Sequence, residues 1–191
     1  VLAADARAHG DSEGTKIGMG WPERFDVIEW IKLIISWEPN AQIILHGVSM
    51  GAATVLMASG DELPENVKVI IADCGYTSEW EEFKCEANAL HIPWFPVLNA
   101  ASVMSKLRDG YDFKQASALE QVKQSRIPTL FIHGSDDELV PYSMLDKLYS
   151  AAACKKECLT VNGAGHALSS SVEPELYWNT VESFIEKYSE K

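Results

Sequence analysis

No apolar run in this 191-residue sequence is longer than a β-strand. A bilayer-spanning helix needs about 20 such residues, so no membrane segment is expected within the chain. Positive charge is scarce. Sixteen Lys and Arg stand against 28 Asp and Glu, a net charge of −12, which repels a phosphate backbone. No basic cluster offsets it, and this argues against a nucleic-acid partner. The four cysteines, Cys74, Cys85, Cys154 and Cys158, include no CxxC pair. Cys154 and Cys158 lie four apart, but no nearby histidine completes a zinc set, so free thiols and no metal site are expected. Repeats, low-complexity tracts and linkers are absent. So are an initiator methionine and a signal-type segment: the chain opens in the strand-like run "VLAAD". The expectation is a larger protein cut at its front. A cytoplasmic location fits free thiols, with any upstream signal or anchor left open.

What is present reads as one α/β domain, 1–191. Five short runs look like strands buried on both faces: "VLAAD" (1–5), "AQIILH" (41–46), "VKVIIAD" (67–73), "PTLFIH" (128–133) and "ECLTV" (157–161). Between them lie helical patterns. Residues 22–37 begin with Pro22 and put Phe25, Ile28, Ile31 and Ile35 on one face. A second helix runs from near Met50 to Gly60. A third, from Tyr142, stacks Met144, Leu145, Leu148 and Tyr149. The last, from about Pro174, stacks Leu176, Val181, Phe184, Ile185 and Tyr188. Alternation of this kind predicts a mostly parallel sheet with helices on both faces. Residues 75–126 are too long for a plain crossover and are expected to form a small helical cap over one end of the sheet.

The stretch "IILHGVSMGAAT" (43–54) sets a serine between glycines, where a strand runs into a helix. Ligands collect at the carboxyl ends of parallel strands. In a sharp turn there, Ser49 Oγ stands clear and the helix N-terminus points its amides at developing negative charge. Gly47 and Gly51 are expected to relieve crowding, and Ala52 and Ala53 to let the helix pack close. The plain alternative is an ordinary serine in a glycine turn.

A serine nucleophile needs a base within hydrogen-bond reach. Of five histidines, His46 is too near Ser49 in sequence, His133 ends a buried strand, His91 lies in the excursion and His9 in the first loop. His166, in "VNGAGHALSS" after the last strand, emerges on the same sheet edge as Ser49. The group that orients the imidazole should also follow a strand. "PTLFIHGSDDELVP" offers Asp137, with Asp136 as the alternative and helix capping as the bland role for one of them. The order Ser49, Asp137, His166 is that of an α/β-hydrolase.

These motifs resemble the α/β-hydrolase superfamily over almost the whole chain. "DARAHGDSEG" (5–14) is similar to its D-x-R-G-H-G-x-S-x-G stretch, with Ala8 where glycine is usual, a mild departure. "HGVSMG" resembles the nucleophile elbow, "IHGSDDELVP" the acid loop and "GAGHA" the histidine loop. "ADCGYTSEW" is similar to the bacterial branch of serine aminopeptidases and small acyl esterases. The resemblance implies a serine esterase, or a peptidase on short peptides or aminoacyl amides, needing no metal or organic cofactor. It places one oxyanion amide on Met50 and the other on a loop before this segment. It also implies that the family's first strands are missing. "VLAAD" is then expected to pair with "AQIILH", or another copy of the chain to fill the gap, and the isolated chain to be a feeble catalyst. Tyr76, Trp94 and Phe95 are candidate substrate-binding residues, the alternative being that these aromatics glue the cap to the sheet. A non-enzymatic binding member of the fold is the rival of another class.

Overall fold

The computed structural model describes residues 1–189. Its elements run α1 (Glu23–Trp37), β1 (Ile43–Val48), α2 (Met50–Ala58), β2 (Val67–Asp73), α3 (Glu79–Ala89), α4 (Trp94–Asp109), α5 (Ala118–Val122), β3 (Thr129–Gly134), α6 (Ser143–Ala151), β4 (Lys156–Val161), α7 (Ser169–Val172) and α8 (Pro174–Tyr188). Local chemistry starts several helices. Ser78 Oγ accepts the Glu81 N–H at the head of α3, and Ser117 Oγ accepts that of Glu120 in α5. Pro174 opens α8.

The four strands pair in parallel in the order β1-β2-β3-β4. Side chains on β2 alternate between two cores, as a period of two requires. Ile70 and Ala72 face a core built with α1, α2, α5 and α6 residues, such as Ile31, Leu56, Val122 and Leu148. Val69 and Ile71 face the other, with Tyr177, Val181 and Phe184 of α8. The result is a parallel sheet covered by helices on both sides, as expected.

Several expectations fail, each for a reason in the packing. "VLAAD" is exposed coil, not a strand. It does not pair with β1, whose ladder partner among the described residues is β2 alone. Its end is instead tied into a local loop, where Asp5 Oδ2 accepts the Asp11 N–H and the Asp5 carbonyl accepts the Ser12 hydroxyl. β4 is an edge strand, so its side chains are mostly half-buried and Cys158 is exposed. Phe25 is half-exposed, with the Arg24 guanidinium 4.1 Å from its ring centre, while Glu23, Arg24 and Ile31 are buried. On α8 the buried position is Tyr177, not Leu176, because the tyrosine brings a hydroxyl to His46 Nε2 at 2.9 Å. Ala8 sits at φ 60°, which favours glycine, so its departure is a strained one.

The segment between β2 and β3 holds three helices with two roles. α5 lies against α2 and α6 with Ala118 and Val122 buried, so it belongs to the helical layer on the sheet. α3 and α4 pack on each other. α4 turns Leu98, Ser102 and Ser105 inward and leaves Val97, Val103, Met104 and Leu107 exposed.

Two carboxyls of α3, Glu79 and Glu82, are buried, each with one oxygen lacking a partner. Burial pushes Glu79 up to about 8, helped by Glu23 and Asp109, and Glu82 up to about 7, helped by Glu86 and Asp137. The folded chain therefore holds these protons where the unfolded chain, at the ordinary 4.5, has released them. Stability is expected to fall as pH rises from about 4.5 to 8. Thermal melts of Glu79→Gln and Glu82→Gln should show a flatter slope over that window. An unchanged slope in both would contradict this account.

Candidate active site

Strand β1 stops at Val48 and helix α2 starts at Met50, leaving Ser49 alone to make the turn. It does so at φ 54°, ψ −118°, a conformation that costs a non-glycine residue about 1–3 kcal/mol. The Ser49 N–H donates to the Asp73 carbonyl at 2.9 Å, and its own carbonyl accepts the Ala53 N–H at 3.0 Å. Two neighbours hold that turn from outside and inside. A Cβ on Gly47 would lie 2.3 Å from the Gly51 backbone, and one on Gly75 would lie 3.1 Å from Ala52 Cβ. Gly51 is different. A Cβ there meets nothing within 4 Å, so the crowding expected at Gly51 is not found.

The other side chains come from the loops after β3 and β4. These loops are tied together: Ser135 N–H donates to the Val161 carbonyl and Asp136 N–H to that of Ala164, both at 3.0 Å, while Gly163 N–H reaches Ser135 Oγ at 2.8 Å. Gly134 lets them approach, since a Cβ there would fall 2.1 Å from the Ala164 oxygen.

That scaffold brings Ser49, His166 and Asp137 into one line. His166 Nε2 lies 2.8 Å from Ser49 Oγ, and Nδ1 lies 2.8 Å from Asp137 Oδ2. Asp137 is a fixed acceptor. Its Oδ1 takes the N–H groups of Leu139 and Val140 at 3.0 and 2.9 Å. Burial alone would raise its carboxyl, but hydrogen bonds from His133, His166 and the Val140 amide outweigh it and hold the group below the usual range. It therefore stays ionised and fixes Nδ1 as the protonated nitrogen, so Nε2 faces Ser49 as an acceptor. Asp136 is exposed and accepts the Ser135 hydroxyl instead.

The remaining candidates are placed as follows. Met50 is the first residue of α2, where amides have no acceptor within the helix. Tyr76 is 1 % exposed and spends its hydroxyl on the Met19 carbonyl, so it is part of the core rather than a pocket wall. The ring contacts of Trp94 are with Trp80, Phe95 and the Lys84 ammonium, and Phe95 is exposed. Neither is brought against Ser49 by these contacts.

Two residues of the site have no sequence signal. His133 is buried at the end of β3. Its Nε2–H donates to the Val140 carbonyl at 2.9 Å and lies 3.3 Å from Asp137 Oδ2, making it a second brace on the carboxylate. Cys74, following β2, is fully buried at φ 48°. Burial pushes its thiol up to about 12, more than the Ser49 and Ala167 backbone amides pull it down. All four cysteines are free.

Comparison with known proteins agrees with the architecture. The chain is 30% identical over its full length to the uncharacterised protein YqkD of Bacillus subtilis, spanning 63% of that protein. It is 30% identical over 154 residues to the lysophosphatidylserine lipase ABHD12 of Macaca fascicularis, spanning 38% of it. It superposes on the Pyrococcus furiosus esterase Pf2001 with a TM-score of 0.73 at 23% identity, covering 96% of this chain and 69% of that one. For the Pyrococcus horikoshii acylaminoacyl peptidase the TM-score is 0.68 at 16% identity, covering 89% and 28%. Residues 23–191 match the model of the prolyl oligopeptidase family, Peptidase_S9. With that match over most of its length, and with the fold shared with these solved structures, the chain belongs to the prolyl oligopeptidase family and has the α/β-hydrolase fold.

Proposed function

We propose that this chain carries the catalytic centre of an esterase working through an acyl-enzyme on Ser49. The observation that carries the reading is the unbroken line Asp137–His166–Ser49, with both contacts at 2.8 Å and the serine held in a strained turn. His166 Nε2 takes the hydroxyl proton as Ser49 Oγ attacks the ester carbonyl, and Asp137 stabilises the imidazolium. The Met50 amide donates to the oxyanion, where a single donor is worth about 3–4 kcal/mol of transition-state stabilisation. His166 then hands the proton to the departing alkoxide and activates water to release the acid. No metal or organic cofactor enters these steps.

An ester is favoured over an amide because the lysophosphatidylserine lipase ABHD12, named for ester cleavage, is 30% identical over 80% of this chain, whereas the peptidase likeness is one of fold at 16% identity. The substrate is then a small ester. α3 and α4 are read as its cap, with Trp94 and the exposed Phe95 at the start of α4. The test is fluorophosphonate labelling followed by hydrolysis of short p-nitrophenyl esters and aminoacyl p-nitroanilides. Preference for the anilides would turn the reading to a peptidase, and absence of labelling would overturn it.

The two neighbouring aspartates separate the orienting role from general acidity of the loop. Asp137→Asn is expected to lower ester turnover by about 10³–10⁴-fold, because the amide no longer fixes the tautomer. Asp136→Asn, at an exposed side chain, should stay within about twofold. Equal losses in steady-state kinetics of the two variants would remove Asp137 from the mechanism.

A further inference from the structure

The proposed reaction leaves Cys74 without a purpose, yet its backbone is strained: a fully buried thiol held at a positive φ beside Asp137 and His166. Its sulfur, a carboxylate oxygen of Asp137 and a ring nitrogen of His166 all lie within 4.8 Å of one another. Among the described residues, no other three His, Cys, Asp or Glu side chains meet as closely. We propose that Cys74, Asp137 and His166 bind a thiophilic divalent cation such as Zn²⁺, and that the bound ion switches the Ser49 centre off. The inhibitory half of this proposal rests on the reading of Ser49 and His166 as nucleophile and base; the binding half does not.

The donor set suits the ion. One sulfur, one imidazole nitrogen and one carboxylate oxygen form the mixed set that Zn²⁺ takes, at about 2.3, 2.0 and 2.1 Å. Tetrahedral ligands at those lengths stand roughly 3.3–3.6 Å apart, so a pair at the 4.8 Å limit must close by about 1 Å and the 2.8 Å contact of His166 Nδ1 with Asp137 Oδ2 must open by about 0.5 Å. Charge also balances. Thiolate and carboxylate together carry two negative charges and the imidazole none, so a divalent ion leaves the buried group neutral and avoids the penalty of a bare charge. The carboxylate is already braced by the Leu139 and Val140 amides and by His133, the kind of outer support that orients a metal ligand. The route in is His166, whose side chain is 20% exposed and forms the open side of the group.

Proton accounting explains the inhibition. In the free protein the imidazole proton sits on Nδ1, facing Asp137 Oδ2. When Zn²⁺ bonds to Nδ1, that proton moves to Nε2, and the Cys74 thiol proton is lost to solvent. Binding therefore releases one proton. Nε2 becomes a donor toward Ser49 Oγ and can no longer accept the hydroxyl proton.

The test uses the chain with Cys85, Cys154 and Cys158 changed to serine, so that Cys74 is the sole thiol, and a second form that also carries Cys74→Ser. Circular dichroism and melting establish that both fold; Cys74→Ala replaces the serine variant where it does not. Co²⁺ added to the first form is expected to give a thiolate-to-metal charge-transfer band that the second lacks. Zn²⁺ should suppress fluorophosphonate labelling of the first form, with recovery on EDTA. The second, which lacks a direct ligand, should need more than about 100-fold more, since loss of even an outer partner costs about 10–100-fold. Absence of the band, or equal Zn²⁺ sensitivity in the two forms, would overturn the site. If neither form labels without metal, the Ser49 reading has failed, and the cobalt band still decides whether the ion binds.

Discussion

Ser49→Ala is expected to abolish fluorophosphonate labelling and to lower ester turnover by about 10⁴–10⁶-fold. The size of the effect follows from His166, whose ring nitrogens hydrogen-bond only with the Ser49 hydroxyl and Asp137 among the described residues, so no second group inherits the attack. A companion variant tests whether the turn is strained for this purpose. Ser49→Ala and Ser49→Gly lose the same 2.8 Å contact to His166, so their difference isolates the backbone. At φ 54°, ψ −118° alanine inherits the strain and glycine does not. Ser49→Gly should therefore exceed Ser49→Ala in stability by about 1–2 kcal/mol, a rise of roughly 2–8 °C in midpoint for a chain of this size. Labelling that survives in the alanine variant would remove Ser49 as nucleophile. Equal melting points for the two would remove the strain argument while leaving the chemistry untouched.

That strained turn was legible in the sequence because strand, turn and helix each leave a local mark. The apolar run of β1, the small residues at 47, 51, 52 and 53, and the helix after Met50 are all within twelve residues. Asp136 and Asp137 are hard to tell apart along the chain, since adjacent aspartates differ only in where the loop points them; in three dimensions it is Asp137 that accepts the Leu139 and Val140 amides and lies against His166. Features that depend on distant neighbours left no mark. β4 reads as a buried strand, but its place at the sheet edge exposes it. "VLAAD" has strand composition, yet a parallel strand exists only beside a partner, and β1 does not supply one. His133 and Cys74 look like ordinary core residues along the chain, and only the convergence of three loops sets them against the carboxylate and the serine turn. At Gly51 the reverse holds: the motif position is occupied, but no neighbour among the described residues demands it.

The contrast between the two glycines gives the second large effect. Gly47→Ala places a methyl 2.3 Å from the Gly51 carbonyl carbon and oxygen and 2.5 Å from the Ala52 nitrogen. All three are backbone atoms at the head of α2, so no side chain can rotate away. The helix must lift off the strand, and overpacking of that kind costs about 3 kcal/mol or more. Lifting also breaks the turn that sets Ser49 Oγ against His166, so labelling should vanish along with the lost stability. Gly51→Ala is expected to behave in the opposite way. Its methyl enters open space early in α2, where alanine is favoured over glycine by about 0.5–1 kcal/mol. A folded, equally or more stable protein should result, and its labelling rate then reports on something else. If Gly51→Ala keeps the stability but labels more slowly, the space above residue 51 is occupied by the reagent or the acyl group during attack. Chemical denaturation of both variants beside labelling time courses makes the distinction. A stable Gly47→Ala, or a Gly51→Ala that unfolds, would mean that the turn is held by forces other than the close approach of β1 and α2.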